Sequence, residues 1–190
     1  KWLTTFSDAL ADALGARLRR LTAGEPRLAE RIDVHSLPAI GLRLHRAHIG
    51  QAKIAGRSEV RELLAQSAQA VTGHKFGMSF LVAEWGQVVD AWRLRRWEEY
   101  RDVTRLGRRT RLSEAQREIL WSIFQRVLDG LNARGEITET ELFHSLAIAV
   151  AATGKRPFDA AVVDEAQDLS PAQLRVLAAL TGGHANALFF

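Results

Sequence analysis

The stretch that most constrains this 190-residue chain is Ala160 to Gln173, AAVVDEAQDLSPAQ. Small and β-branched residues run without a break into Asp164 and Glu165, the pattern of a strand buried on both faces of a parallel sheet. Ser170 then fits a helix N-cap and Pro171 the first helical turn. A strand that passes so soon into a helix start belongs to an α/β layer, where ligands gather beyond the carboxyl ends of the strands. Asp164 and Glu165 would emerge there. An Asp in that place can hold Mg2+ directly or through water, and an adjacent Glu can orient or deprotonate a water that attacks a γ-phosphate. The other reading is local: Asp168 compensates the positive end of the helix that Ser170 caps. The two are compatible, but a cap does not explain why Asp164 and Glu165 end the apolar strand.

The amino-terminal part repeats this grammar. Leu3 to Phe6 reads as a strand, and Ser7 caps a helix whose leucines at 10, 14, 18 and 21 form a stripe. Gly24 and Pro26 stop it. Arg31 to Val34 forms a second strand, and His35-Ser36 leads into a helix with Pro38 in its first turn. From about Ala47 strand signals fade and helical segments alternate with Gly-containing breaks. Ser79 to Tyr100 reads as a helix weakened at Gly86. Ser113 with Gln116 forms a capping box for a helix carrying Ile119, Ile123, Val127 and Leu131. Trp121 lies off that stripe and faces either a partner or a neighbouring helix. Thr138 and Glu141 open a further helix that ends near Gly154, and Ala187 to Phe190 reads as a last strand. The expected fold is therefore α/β: a partial parallel sheet from residues 1–46 and 157–190, interrupted by a mainly helical inserted subdomain over 47–156. An ending on a bare apolar strand reads as a cut from a longer protein.

Composition narrows the class. Hydrophobic residues make up 47% and charged residues 25%, as in ordinary folded domains, and no apolar run is long enough to span a bilayer. No membrane partner is expected. The absence of cysteine excludes disulfides and thiolate metal sites and fits a cytoplasmic protein. His45 and His48 have helical spacing without a third ligand, so they read as ordinary packed or surface histidines. Between Arg93 and Arg117, nine arginines face only Glu98, Glu99, Asp102 and Glu114. Interleaved with Trp92, Trp97 and Tyr100, this segment can track a phosphate backbone and stack bases, with Arg108 and Arg109 as candidate contacts. Alternatively, it is a solvated helix face whose aromatics enter the core.

Val163 to Gln173, VDEAQDLSPAQ, closely resembles motif II, the Walker B box, of UvrD/Rep-type superfamily-one DNA helicases. Two weaker matches stand in the family's order: Leu3 to Ala11, LTTFSDALA, resembles motif Ia, and Asp33 to Leu37, DVHSL, resembles the downstream Thr-Phe-His-Ser box. The resemblance implies a RecA-like P-loop NTPase sheet and an ATP-driven motor that moves along single-stranded DNA, 3′ to 5′, and separates duplexes. It further implies that Asp164 serves Mg2+, that Glu165 activates water, and that Gln167 and Asp168 couple the nucleotide state to a neighbouring motor domain. Thr5, Phe6, His35 and Ser36 would face DNA, with Phe6 a base-stacking candidate. Implied partners are single-stranded DNA, duplex/single-strand junctions and the remaining helicase domains.

Departures from the family pattern are specific. Ser7-Asp8-Ala9 stands where motif Ia commonly has Thr-Asn-Lys, so a phosphate-contacting lysine is absent, and Asp33 replaces the Thr that often opens the second box. No window supplies the Gly, four residues, Gly-Lys-Ser/Thr of a P-loop; the nearest, Ala149 to Arg156, lacks the first Gly and ends in Arg156. The expectation is an internal slice of a helicase motor domain, from motif Ia to motif II. Mg2+ and ATP would be bound by the full-length parent and not tightly by this chain, which alone would be inactive. The alternative is a noncatalytic nucleic-acid-binding or protein-interaction module that retains a degenerate helicase fold.

Overall fold

A parallel strand pair needs a crossover, and this chain supplies helices for that purpose on both sides of its sheet. The computed structural model describes residues 1–5, 7–104, 111–155, 157–164, 166–182 and 187–189. In chain order the first elements are β1 (Trp2–Thr5), α1 (Asp8–Leu21), α2 (Pro26–Ala29), β2 (Asp33–Ser36), α3 (Leu37–His48) and β3 (Lys53–Ile54). Next come α4 (Arg57–Gln69), α5 (Met78–Glu84), a π-helix (Trp85–Asp90), α6 (Trp97–Asp102), α7 (Glu114–Ala133) and β4 (Glu136–Ile137). Last are α8 (Glu139–Thr153), β5 (Ala161–Val163), a short 3-10 turn (Ala166–Asp168), α9 (Pro171–Thr181) and β6 (Leu188–Phe189). Helix dominates, and the described strands all pair in parallel, so the chain is α/β.

Two compact units form, Lys1–Ala52 with Leu142–Phe190, and Lys53–Glu141. The first unit thus takes in most of α8, where composition put the divisions at 46/47 and 156/157. A close contact shows why: a Cβ added at Gly41 on α3 would lie 2.6 Å from the Phe143 ring and 3.1 Å from Leu142 Cδ2. Both α8 side chains are buried, so the two helices meet where one has no side chain.

The sheet of the first unit has the order β2-β1-β5-β6. Its register aligns Trp2 with Asp33 and Ala161, and Thr4 with His35 and Val163. From β1 the chain steps outward through α1 to β2; from β5 it steps the opposite way through α9 to β6. Right-handed crossovers in opposite directions put α1 and α9 on opposite faces. Trp2 stacks on Phe158 at 5.3 Å, and the Phe158 N–H donates to the Leu180 carbonyl of α9.

That arrangement corrects two sequence expectations. β5 is not buried on both faces: Val162 is 45% exposed and its register partner Phe189 51%, because α9 covers only the other face. In α1 the buried positions are Ala11 and Gly15, not the leucine stripe, whose Leu10 and Leu21 are exposed. A Cβ on Gly15 would sit 3.9 Å from Val34 Cβ, so this helix approaches β2 through its small residues.

The second unit has its own core, centred on Leu64, Val89, Tyr100, Leu120, Ile123, Phe124 and Val127. The helix expected over Ser79 to Tyr100 is instead α5, a π-helix that contains Gly86, a break, and α6. The break turns at Arg93, whose φ of 53° is left-handed and costs about 1–2 kcal/mol for a residue with a Cβ. Trp121 packs against a neighbouring helix, stacked 5.8 Å from Tyr100. The buried Tyr100 hydroxyl donates to Glu84 Oε1 at 3.0 Å. His45 donates from Nδ1 to the Gly50 carbonyl at 2.8 Å, a structural role at the end of α3 in the first unit.

Candidate functional site

In an open parallel sheet the crevice lies where successive connections leave in opposite directions, beyond the strand carboxyl ends. Here that switch falls between β1 and β5. β1 ends in Thr4-Thr5 and β5 runs from Val163 into Asp164. The Asp164 N–H donates to the Thr4 carbonyl at 3.0 Å, which extends the ladder one residue past the strand and carries the exposed Asp164 to the level of Thr5. Glu165 lies outside the described residues.

Strand alternation gives each threonine a different face, and both are buried. Neither hydroxyl has a hydrogen-bond partner among the described residues. An unmatched buried hydroxyl costs about 1–3 kcal/mol, so this strand end is incompletely satisfied on each face of the sheet. Thr4 escaped the sequence expectations because a hydroxyl in a strand has no local signal. The Thr-Thr doublet beside a switch point was the available clue.

Thr5 aligns with Ser36 on β2. Ser36 is the N-cap of α3: its hydroxyl accepts from the Ala39 N–H at 3.2 Å and donates to the Asp8 carboxylate in a short hydrogen bond. Asp8, which stands where the resembled family has another residue, thereby joins the first turn of α1 to the end of β2. His35 is half-buried on the other face, and Arg43 donates to its Nε2 at 3.1 Å. Of the residues expected to face DNA, Thr5 and Ser36 are thus buried at the strand ends and His35 is partly accessible; Phe6, Arg108 and Arg109 lie outside the described residues.

After Asp164 the chain makes the 3-10 turn, where Gln167 and Asp168 are exposed. Ser170 then caps α9 in a full capping box with Gln173, and Pro171 opens the helix. Both sequence readings of the acidic stretch therefore have a place: cap chemistry at Ser170, and an acid at the crevice in Asp164. Among the described residues no group of three His, Cys, Asp or Glu side chains converges as a metal site. A lone carboxylate still suits Mg2+, which keeps several waters and commonly takes one or two carboxylates together with substrate phosphates.

Among the described residues, the basic segment is largely engaged in internal contacts. Arg93 and Arg95 pair with Glu141, Arg96 with Glu99, and Arg101 with Asp102, while Arg117 donates to the carbonyls of Tyr100, Arg101 and Val103. Tyr100 is buried and Trp97 half-buried; Trp92 is 63% exposed. No described helix is long and apolar enough to cross a membrane.

No family model and no curated protein matches this chain. The functional reading therefore rests on the motif resemblance and on the geometry of the strand ends.

Proposed function

We propose that this chain is part of the RecA-like motor domain of an ATP-dependent DNA helicase or translocase of the UvrD/Rep type. The observation that carries the reading is the switch point between β1 and β5, where Asp164 of the motif II-like stretch emerges level with Thr5 at the strand carboxyl ends. Asp164 would hold Mg2+, which when bound offsets charge on the nucleotide phosphates. Glu165 would orient the attacking water, and the exposed Gln167 and Asp168 would meet a neighbouring motor domain. Thr5, Phe6, His35 and Ser36 would border the DNA path. The phosphate cradle would come from elsewhere in the parent, because no window of this sequence supplies it. Such a parent would work in the cytoplasm on single-stranded DNA and duplex/single-strand junctions.

The test is made in the parent open reading frame. Glu165→Gln should lower the ATP hydrolysis rate at least a hundredfold while nucleotide affinity changes less than about threefold, in line with general-base contributions of about 100- to 10,000-fold. An upstream reading frame without a P-loop, or hydrolysis that survives Glu165→Gln, overturns the assignment.

A further inference from the structure

Strands β1, β2 and β5 end at the same edge of the sheet, and what each presents there decides what that edge can hold. β1 and β2 finish on Thr5 and Ser36, both buried. The Ser36 hydroxyl is used in both directions, donating to Asp8 and accepting from the Ala39 N–H, so it has nothing left for a ligand. β5 delivers the acid Asp164. An accessible donor is found beside β2, the outer strand, where Arg43 is exposed and His35 half-buried. Arg43 lies on the second turn of α3. A helical side chain leans toward the start of its own helix, which returns this guanidinium to the end of β2. There its Nη1 donates to His35 Nε2 at 3.1 Å.

The nature of that partner matters. A guanidinium has no acceptor, so Nε2 must accept and the imidazole carries its proton on Nδ1. A carboxylate in the same place would cancel the arginine charge; a neutral imidazole fixes one N–H and leaves the charge and the remaining N–H groups for another acceptor. The second unit shows the contrast, since Arg93, Arg95, Arg96 and Arg101 are each paired with a carboxylate. Among the described residues Arg43 takes part in no ion pair. The first turn of α3 also contains no acidic residue, so the positive end of that helix is unopposed from within and adds to the attraction for an anion. An oriented guanidinium with its charge intact matches phosphate oxygens.

We infer that Arg43 grips a phosphate of single-stranded DNA at the end of β2, with His35 as its positioning residue. This rests on the motor reading of the crevice and adds a contact from outside the three stretches that carry the motif resemblance. The test is fluorescence anisotropy of a labelled oligothymidylate with the whole 190-residue chain over a salt series. One phosphate contact on a single strand carries about 0.7 of log affinity per tenfold change in salt, so Arg43→Gln should lower the salt slope by about 0.7 and weaken binding about eightfold at about 50 mM salt. Arg43→Lys should keep the slope. His35→Ala leaves the charge count alone and should weaken binding about threefold at unchanged slope, and His35→Gln, which retains an acceptor, should recover part of that loss. Arg27→Gln, an exposed change on α2 ahead of the amino end of β2, should alter neither slope nor affinity. A merely structural Arg43 would lower the melting temperature and leave the slope untouched. An unchanged slope in Arg43→Gln, an equal slope loss in Arg27→Gln, or no salt-dependent binding by the unaltered chain overturns the inference, and a slope loss in His35→Ala overturns the positioning role. The motor reading is judged by Glu165→Gln hydrolysis in the parent, so failure of one is distinguishable from failure of the other.

Discussion

Glu141→Gln is the change that best separates an organising ion pair from a decorative one. Arg93 reaches Glu141 through Nε at 2.9 Å and Nη2 at 2.7 Å, and Arg95 adds a third contact at 2.5 Å. The Glu141 side chain is 19% exposed, so these contacts are only partly screened. A hydrogen bond to a charged group contributes about 1.5–3 kcal/mol net, and because Gln keeps part of the geometry, Glu141→Gln should cost about 2–3 kcal/mol. Arg93 also carries the left-handed φ of 53°, so the pair holds a strained turn in place. Arg93→Gly removes that strain, about 1–2 kcal/mol, together with two of the three contacts. In its background Glu141→Gln should cost only about 1 kcal/mol, giving a coupling of about 1.5 kcal/mol; glycine's extra unfolded-chain entropy is common to both arms and cancels. Burial pushes the Glu141 carboxyl upward, but the hydrogen bonds from Arg93 and Arg95 outweigh it and hold the group below its ordinary value of 4.5. A lowered folded-state value means that the contribution is present above about pH 4.5 and is lost as pH falls through the folded value, so wild type and Glu141→Gln should converge in acid. Urea unfolding followed by tryptophan fluorescence reads this directly, since Trp85, Trp92, Trp97 and Trp121 all lie in the second unit. An equal cost of Glu141→Gln in both backgrounds, or a difference that persists in acid, would refute the reasoning.

Two further predictions concern packing and buried charge. Gly41→Ala places a Cβ against the buried Phe143 and Leu142, neither of which can swing away, and should destabilise by about 1–3 kcal/mol, lowering the melting temperature of the chain by several degrees in a thermal scan. Asp90 is held above its ordinary value by burial, partly offset by hydrogen bonds from Thr138 and Thr140; with a raised folded-state value its charge opposes folding at neutral pH and ceases to do so as pH falls below about 3.8. Asp90→Asn should therefore stabilise at pH 7, and the gain measured by urea unfolding should shrink in acid.

Helix starts were the most legible part of the fold. Ser7, Ser113 and Ser170 each accept from a backbone N–H three residues on, and Ser36 does the same ahead of Pro38. Capping is local chemistry, and a single sequence contains all of it. Faces were less legible because they depend on what arrives from elsewhere. In α1 the leucine spacing favoured Leu10 and Leu21, yet close approach to Val34 selected Ala11 and Gly15. The same holds for Val162, whose exposure is decided by the side of the sheet that α9 takes. The π-helix over Trp85–Asp90 had only Gly86 to signal it, and its extra residue per turn places Trp85, Val88 and Val89 together in the core. At the candidate site, the strand-to-acid junction made Asp164 legible. Thr4 was hidden because its meaning comes from β5 lying alongside, a contact between residues far apart in sequence.

The place of the second unit along the chain follows from the same topology. β1 and β5 are adjacent in the sheet, but the crossover that returns the chain from β2 to β5 is not limited in length, since each doubling of a connection costs only about 0.6 kcal/mol in closure entropy. An insertion there leaves the register between Thr4 and Val163 untouched. The inserted unit also ties its own beginning to its own end. β3 and β4 pair in parallel, Lys53 beside Glu136 and Ile54 beside Ile137, and the Ala55 N–H continues the ladder to the Ile137 carbonyl at 3.0 Å. Its described core runs from Ala55 to Leu131, within the unit itself. A long helical unit can therefore be accommodated in this crossover with the β1–β5 register kept.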